Sequence, residues 1–200
     1  FPGVIGLAIS TRPDCLDEAT LDYLAGLSED YHIALEIGIE STLDRTLQAI
    51  NRGHRFAETK SAIFRAAQRN LHLTGHMILG LPGETRKEML SHADILAGWP
   101  LQNIKLHQLQ VLKHTHMARQ YQNHPEDFNL FGYEEYVDFV IDFMERLRPD
   151  MVMERFISQA PKGYLIAPQW GQVKNYQVIH SIEKRLAERN TWQGRLYNTY

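Results

Sequence analysis

Short apolar runs alternate with longer amphipathic stretches along the chain. The runs have the length of buried β-strands, and they lie at 4–10, 32–39, 73–81, 104–112 and 151–158. Strands that alternate with helices predict parallel pairing through right-handed crossovers. The expected fold class is therefore α/β, as a barrel, an open barrel or a doubly wound sheet. In all three, ligands bind at the carboxyl ends of the strands.

The stretches between the runs predict helices, several with polar residues at their first turn. The helix at 133–147 has an apolar residue every three or four positions, namely Tyr133, Tyr136, Val137, Val140, Ile141, Met144 and Leu147. Helix-capping patterns occur at Asp17, at Ser41 with Asp44, and at Thr85 with Glu88. The helix at 56–70 is expected to turn four residues inward, Phe56, Ile63, Phe64 and Ala67. A last helix is expected over about 172–189, after an irregular segment at 162–172.

The composition narrows the class of protein. The chain has 200 residues, 44% of them hydrophobic, which suits one domain or a large piece of one. A net charge of −3 argues against broad, nonspecific nucleic-acid binding. No apolar run approaches the roughly 20 residues that span a bilayer, and no secretory signal is visible. With one cysteine there is no disulfide framework, and we expect a cytoplasmic protein without membrane contact.

The segment 77–85, MILGLPGET, suggests a tight turn between a strand and a helix. Proline followed by glycine fits the two central positions of a type II turn, and such turns are common without any ligand. Neither a phosphate-binding P-loop nor a G-x-G-x-x-G motif is present. The turn is therefore a candidate part of a ligand-binding site only if neighbouring strand ends supply further polar groups.

Polar residues are dense at the predicted strand ends. Alternation places Lys105 and His107 on one face of their strand and Gln108 on the other. Such residues need a partner or a ligand when both faces of the strand are covered. The pattern leaves a buried hydrogen-bond network and a binding site both open. His114 and His116 are two apart and favour surface histidines over a metal site.

Six motifs in order carry a family resemblance: TRPD (11–14), LEIGIES (35–41), INRGH (50–54), GHMILGLPGE (75–84), KLHQL (105–109) and HTHMA (114–118). This order, over about residues 1–195, resembles the radical S-adenosylmethionine (SAM) superfamily. Within it, the chain resembles the branch of the Elongator catalytic subunit and oxygen-independent coproporphyrinogen oxidase, and most of all the YhcC-type Fe–S oxidoreductases.

The resemblance implies a set of SAM-binding residues. Glu40 stands where relatives have a polar residue, usually Gln, that contacts the ribose or methionine part of SAM. Arg52 matches an arginine that holds the SAM carboxylate, a task that suits a guanidinium fork. Ile78 and Gly80 fall in a pattern whose backbone supports the adenine. His76 replaces an Asp that contacts SAM in some relatives, so that contact is in question.

The superfamily binds a [4Fe-4S] cluster through a C-x-x-x-C-x-x-C loop, whereas this chain has only Cys15. We therefore expect the carboxyl-terminal part of a longer protein, beginning at about the third barrel strand. Residues 1–160 would form half to two-thirds of a TIM-like barrel, and 161–200 a helical extension packed on it. The chain alone is expected to bind no cluster and little or no SAM, and to be inactive.

For the intact protein, the resemblance implies reductive cleavage of SAM at the cluster and hydrogen abstraction from a substrate, a small molecule or tRNA. A reductant protein would supply electrons. Lys105, His107 and Gln108 are candidate substrate-facing residues. Two alternatives remain open: a cluster-independent TIM-like barrel enzyme, and an RNA-binding part of a tRNA-modifying protein that uses the basic and aromatic tail 189–200. Exposed barrel edges could also make this piece a dimer.

Overall fold

A computed structural model describes residues 3–171 and 173–197. Its strands and helices alternate for most of the chain. In order they are β1 (Gly6–Thr11), α1 (Glu18–Leu27), β2 (His32–Glu40), α2 (Asp44–Ala49), α3 (Phe56–Ala67), β3 (His72–Leu79), α4 (Arg86–Ala97), β4 (Asn103–Gln108), β5 (Val111–Leu112), α5 (His116–Asn123), α6 (Tyr133–Met144), β6 (Val152–Arg155), β7 (Leu165–Ala167) and α7 (Asn175–Glu188).

The main sheet has the strand order β1-β2-β3-β4-β6. Strand β2 pairs in parallel with both of its neighbours, with Gly6 opposite His32 and Ala34 opposite His72. The register against β3 shifts between Gly38 and Glu40, where β2 bulges. Covered parallel strands are nearly continuous in apolar residues, which accounts for the runs in the sequence. The predicted α/β class with parallel strands is confirmed.

By its internal contacts the chain divides into two units, neither of which corresponds to one continuous segment. The first unit comprises Phe1–Met77, Gly98–Lys105 and Met151–Glu154, and the second comprises Ile78–Ala97, Leu106–Asp150 and Arg155–Tyr200. The predicted boundary at residue 160 stays a prediction. In the part of the chain that the structure describes, no helix is long and apolar enough to cross a membrane.

The core of the first unit lies between β2 and the helices that follow it. Alternate residues of β2 are fully buried, and α3 turns four residues inward, which are Thr59, Ala62, Ile63 and Ala66. Ile63 was predicted correctly, but Phe64 is 38% exposed and the prediction for it was wrong. Phe56 and Phe64 instead contact the buried indole of Trp99, at centroid distances of 5.4 and 6.3 Å.

Helix α6 forms the centre of the second unit. The predicted apolar stripe is buried except for Tyr133, which is only half-buried. Phe139 and Phe143 widen the buried face. The hydroxyl of Tyr136 donates to the carbonyl of Phe156. Burial without a charged partner raises the pKa of Tyr136, so the phenol stays neutral and this hydrogen bond keeps its donor.

Two local predictions were wrong for identifiable reasons. Leu43, not Ser41, is the N-cap residue of α2, and the Ser41 hydroxyl accepts from the amide of Leu43. Asp44 accepts from the amide of Phe56 at the start of α3. The run 104–112 is not one strand. It divides into β4 and β5, and β5 pairs antiparallel with β7, which lies in the segment that was predicted to be irregular.

The other capping predictions hold. The amide of Thr20 donates to Asp17 at 2.8 Å at the start of α1. Thr85 and Glu88 exchange hydrogen bonds at the start of α4, which is the reciprocal arrangement of a capping box.

Candidate functional site

The end of β2 has an unusual backbone in the first unit. Glu40, its last residue, has φ +64, a left-handed conformation that costs a non-glycine residue about 1–3 kcal/mol. Strain of this kind persists where surrounding contacts hold it, and the β2 bulge lies at the same place. The result is that the Glu40 side chain turns back over its own strand, toward Gly38.

Arg52 lies against this strand end. Its Nη2 is 3.0 Å from Oε1 of Glu40 and 3.4 Å from the carbonyl oxygen of Gly38. A Cβ on Gly38 would lie 2.2 Å from Nη2 of Arg52 and 2.6 Å from Oε1 of Glu40. The ion pair can therefore pack against this strand only because residue 38 is a glycine. The sequence had suggested Glu40 and Arg52, but not this role of Gly38.

A chain of hydrogen bonds fixes the other edge of the Arg52 guanidinium. Its Nε donates to Nε2 of His54 at 3.2 Å, and Nδ1 of His54 lies 3.1 Å from the hydroxyl of Thr59. Because Nε2 accepts, a neutral His54 carries its proton on Nδ1 and donates to Thr59. Burial and the charge of Arg52 lower the pKa of His54, which favours this neutral form. His54 ends the INRGH motif, but the sequence had given no role to it or to Thr59.

An open cleft of about 430 Å³ lies beside this pair, within the first unit. Its lining is mostly polar or charged and consists of Ser10, Thr11, Arg12, Cys15, Glu36, Gly38, Glu40, Arg52 and His76. The Nη1 group of Arg52 has no acceptor among the residues that the structure describes. Burial raises the pKa of Glu40, against the opposing charge of Arg52. The cleft thus presents a guanidinium edge and a partly desolvated carboxyl to a ligand.

A second carboxylate, Glu36, forms a charged network in the same unit. Lys105 reaches Glu36 at 2.5 Å and Glu154 at 3.3 Å, and His76 lies 3.3 Å from Glu36. Burial pushes the pKa of Glu36 upward, but Lys105, with Ser10 and His76, outweighs it and lowers the pKa overall. Lys105 was predicted to face the substrate, and the structure pairs it with Glu36, a residue of the LEIGIES motif to which the sequence had given no role.

The MILGLPGET segment divides at Met77, and its turn belongs to the second unit. The amide of Glu84 donates to the carbonyl of Leu81 at 3.2 Å, and Gly83 has φ +76, as a type II turn requires. Gly80 has φ +96. A Cβ there would meet protein atoms only at 3.5–3.6 Å, so backbone conformation, not crowding, demands this glycine. The adenine support by Ile78 and Gly80 stays a prediction.

Two more candidate residues lie in the second unit. The Gln108 side chain exchanges hydrogen bonds with the main chain of Ser158, at 3.1 Å to the carbonyl oxygen and 3.0 Å from the amide. These two bonds use one N–H and one lone pair of the amide, half of its hydrogen-bonding capacity. They form part of the buried network that the sequence had left open as an alternative. His107 is half-buried on β4. A substrate-facing role for either residue stays a prediction.

The residues present fit SAM but not an iron–sulfur cluster. A free guanidinium edge suits the carboxylate of an amino acid, and a carboxyl oxygen suits ribose hydroxyls. A cluster needs three protein thiolates, and the chain has only Cys15. Within residues 3–171 and 173–197, no group of three or more His, Cys, Asp or Glu residues is arranged to hold a metal ion.

Comparisons with known proteins agree with these motifs. The family model of the radical SAM superfamily matches residues 1–96, and the model of the radical SAM C-terminal domain matches residues 101–188. The Bacillus subtilis protein YtqA is 34% identical over 194 residues, which are 97% of this chain and 59% of YtqA. The Escherichia coli protein YhcC is 33% identical over 168 residues, 84% of this chain and 54% of YhcC. The chain thus spans less than two thirds of these relatives.

Among solved structures, archaeal Elp3 of Methanocaldococcus infernus with an N-terminal deletion is similar in fold. It is 18% identical, with a TM-score of 0.80 over 94% of this chain and 43% of that one. This likeness confirms the fold class, an α/β arrangement similar to the TIM-like barrel domains of radical SAM proteins. By its two matching family models, which together cover most of its length, the chain belongs to the radical SAM superfamily, and it is of the YhcC type.

Proposed function

We propose that this chain supplies the SAM-binding part of a radical SAM enzyme, and that Arg52 and Glu40 hold the cofactor. The observation that carries the proposal is the Arg52–Glu40 ion pair above Gly38, at the edge of an open polar cleft. SAM bound in the complete enzyme would supply hydrogen-abstraction chemistry, since one electron from the cluster would split it into methionine and a 5′-deoxyadenosyl radical.

Arg52 would orient the amino-acid end of SAM. His54 and Glu40 hold Nε and Nη2, so Arg52 is positioned without a further loss of side-chain freedom, and its Nη1 donors would serve the SAM carboxylate. A charge-assisted hydrogen bond from such a group to a carboxylate contributes about 1.5–3 kcal/mol. Glu40 would accept from the ribose hydroxyls through Oε2, for which the described residues offer no donor.

Ile78, Gly80 and His76 are further candidates for contact with SAM, as the family resemblance implies. The backbone of the first two would support the adenine, and His76 would face the cleft from β3 while Glu36 holds its ring. Lys105, His107 and Gln108 remain candidates for contact with the substrate. The substrate itself, a small molecule or tRNA, and a reductant protein are further parts of the proposal.

The cluster would be bound outside this chain. A single thiol cannot replace three ligands, and the chain covers only 54–59% of the relatives YhcC and YtqA. We therefore propose that the 200-residue chain is a part of a longer enzyme and is inactive when it is isolated.

The test is anaerobic reconstitution of the full-length protein with iron and sulfide, followed by incubation with SAM and dithionite. We expect 5′-deoxyadenosine from the full-length protein and none from the isolated chain. Arg52→Ala should reduce the product at subsaturating SAM by roughly tenfold or more, as the loss of one charge-assisted hydrogen bond implies. Arg119→Ala, an exposed arginine on α5, is the matched control and should change nothing.

Three outcomes would contradict the proposal. They are a stoichiometric cluster on the isolated chain, no 5′-deoxyadenosine from a reconstituted full-length protein with its cluster, and equal effects of Arg52→Ala and Arg119→Ala.

A further inference from the structure

The second unit contains a cavity that none of the SAM-binding residues lines. Its volume is about 360 Å³, at the lower end of the range for small-molecule sites. Gln108, the last residue of β4, lies at one side, and the segment after β6, from Ile157 onward, forms much of the rest. It is thus built at the carboxyl ends of two strands, where α/β proteins bind their ligands. We call it the extension pocket.

The floor of the extension pocket is a fixed polar platform. Ser158 accepts at its carbonyl oxygen from the amides of both Gln108 and Gln110, each at 3.1 Å. Its own amide and hydroxyl donate back to the same two side chains at 3.0 and 3.2 Å. Each glutamine amide keeps one N–H that these bonds do not use. The floor therefore offers oriented hydrogen-bond donors without any charge.

The only charged residues of this lining are two lysines. Lys162 and Lys174 both line the pocket, and no Asp or Glu does so among the residues that the structure describes. Neither ammonium group forms a salt bridge with a described residue. In a chain with net charge −3, two unpaired cations at one cavity make a local field that favours an anion.

The walls of the extension pocket are apolar and partly aromatic. Trp170 lines it, and its indole is held by a hydrogen bond from Nε1 to the carbonyl of Phe131 at 2.8 Å and by ring contact with Tyr136 at 5.0 Å. Ile157 and Leu165 add aliphatic surface. An indole held in this lining favours a ligand with a planar group, while the lysines favour a negative charge.

We propose that the extension pocket binds an organic anion, a planar or apolar body with a carboxylate or phosphate group, and that this is the substrate class of the enzyme. The assignment of the ligand as substrate rests on the proposed function, whereas the binding of an anion does not. Different residues would then bind the substrate and the cofactor. The substrate would contact Lys162, Lys174 and Trp170, and SAM would contact Glu40 and Arg52.

The experiment uses 2-naphthoate as the anionic probe and 2-naphthylmethanol as its neutral counterpart. Binding is followed on the full-length protein labelled with 5-fluorotryptophan, by the ¹⁹F signal that Trp170→Phe removes. We expect a saturable shift of that signal and an affinity for naphthoate roughly tenfold higher than for the alcohol. Lys162→Met and Lys174→Met should each weaken naphthoate about threefold or more and leave the alcohol unchanged. Lys184→Met, an exposed lysine on α7, is the control and should change neither.

An unmoved Trp170 signal, equal affinity for the two probes, or equal effects of all three lysine variants would overturn the proposal. Phosphorylated and carboxylated probes of the same ring then distinguish the two anionic groups. SAM cleavage without substrate is measured on the same samples. If the lysine variants bind naphthoate more weakly but still form 5′-deoxyadenosine, both proposals stand. If the unmodified protein cleaves SAM but does not bind naphthoate, only the proposal for the extension pocket is wrong.

Discussion

Arg52 and Glu40 form an ion pair of 3.0 Å that rests on the backbone of Gly38. The pair joins a residue at the end of β2 to one that lies twelve positions along the chain, beyond α2. It combines a strained backbone at Glu40, a glycine without room for a side chain, and a histidine that holds the guanidinium from behind. Each of these conditions can be tested separately.

Gly38→Ala should displace the ion pair. The new methyl group would overlap Nη2 of Arg52 and Oε1 of Glu40, and because both atoms end flexible side chains that can move aside, we expect weaker SAM binding with a change of less than about 1 kcal/mol in the free energy of unfolding. Gly26→Ala is the control, because a Cβ there meets nothing within 4 Å and the residue is in α1. It should stabilise the protein by about 0.5–1 kcal/mol. Urea unfolding measures the stability of both variants and calorimetry measures their affinity for SAM, and unchanged SAM binding by Gly38→Ala would show that the ion pair does not need glycine at position 38.

His54 should make stability depend on pH. Its pKa is lowered in the folded protein, so its contribution is complete above the unfolded value of about 6.5 and is lost as the pH falls through the folded value. Protonated Nε2 could no longer accept from Arg52. We therefore expect wild-type protein to lose more stability than His54→Gln between pH 8 and pH 5.

The control for this pH effect is His180→Gln, an exposed histidine on α7, which should keep the wild-type pH profile. An NMR titration of His54 gives the pKa directly. A value above 6.5 would contradict the hydrogen-bond arrangement.

Much of this arrangement is beyond sequence reasoning. Periodicity predicted the strands and the main helices, and motif order led to Glu40 and Arg52. Neither periodicity nor motif order revealed the roles of His54 and Glu36, because a buried polar residue has no sequence signal until its partner is known. Periodicity also predicted one strand over 104–112 where the structure has two, because the pairing of β5 with β7 depends on residues more than 50 positions away. Propensity describes neighbours along the chain, whereas the site depends on contacts across it.

Lys105→Met should leave Glu36 as a largely buried carboxylate without its main partner. The expected cost is about 3 kcal/mol in the free energy of unfolding, and the pKa of Glu36 should rise. Glu36 is stabilising above its unfolded pKa of about 4.5 and loses this contribution as the pH falls through its lowered folded value, so the variant should be less sensitive to acid.

The double variant Lys105→Met with Glu36→Leu should cost less than Lys105→Met alone, since no unpaired charge remains. A double-mutant cycle with additive costs would mean that the two residues do not interact, against the 2.5 Å contact.

Gly80→Ala should cost about 1–3 kcal/mol through backbone strain at φ +96. Gly83→Ala, at φ +76 and with nothing within 4 Å of a Cβ, should cost a similar amount, because both positions demand glycine for conformation. Thermal unfolding compares the two. A much larger cost at Gly80 would show crowding that the 3.5–3.6 Å contacts do not predict.

We propose that Arg52 holds the carboxylate of SAM, and calorimetry of SAM and decarboxylated SAM on the full-length protein tests this contact. Wild-type protein should bind SAM about tenfold or more tightly than the decarboxylated form, as a charge-assisted hydrogen bond implies. Arg52→Ala should lower the affinity for SAM and reduce this preference to about one. If Arg52→Ala instead weakens both ligands by the same factor, the guanidinium does not contact the carboxylate and the account is wrong.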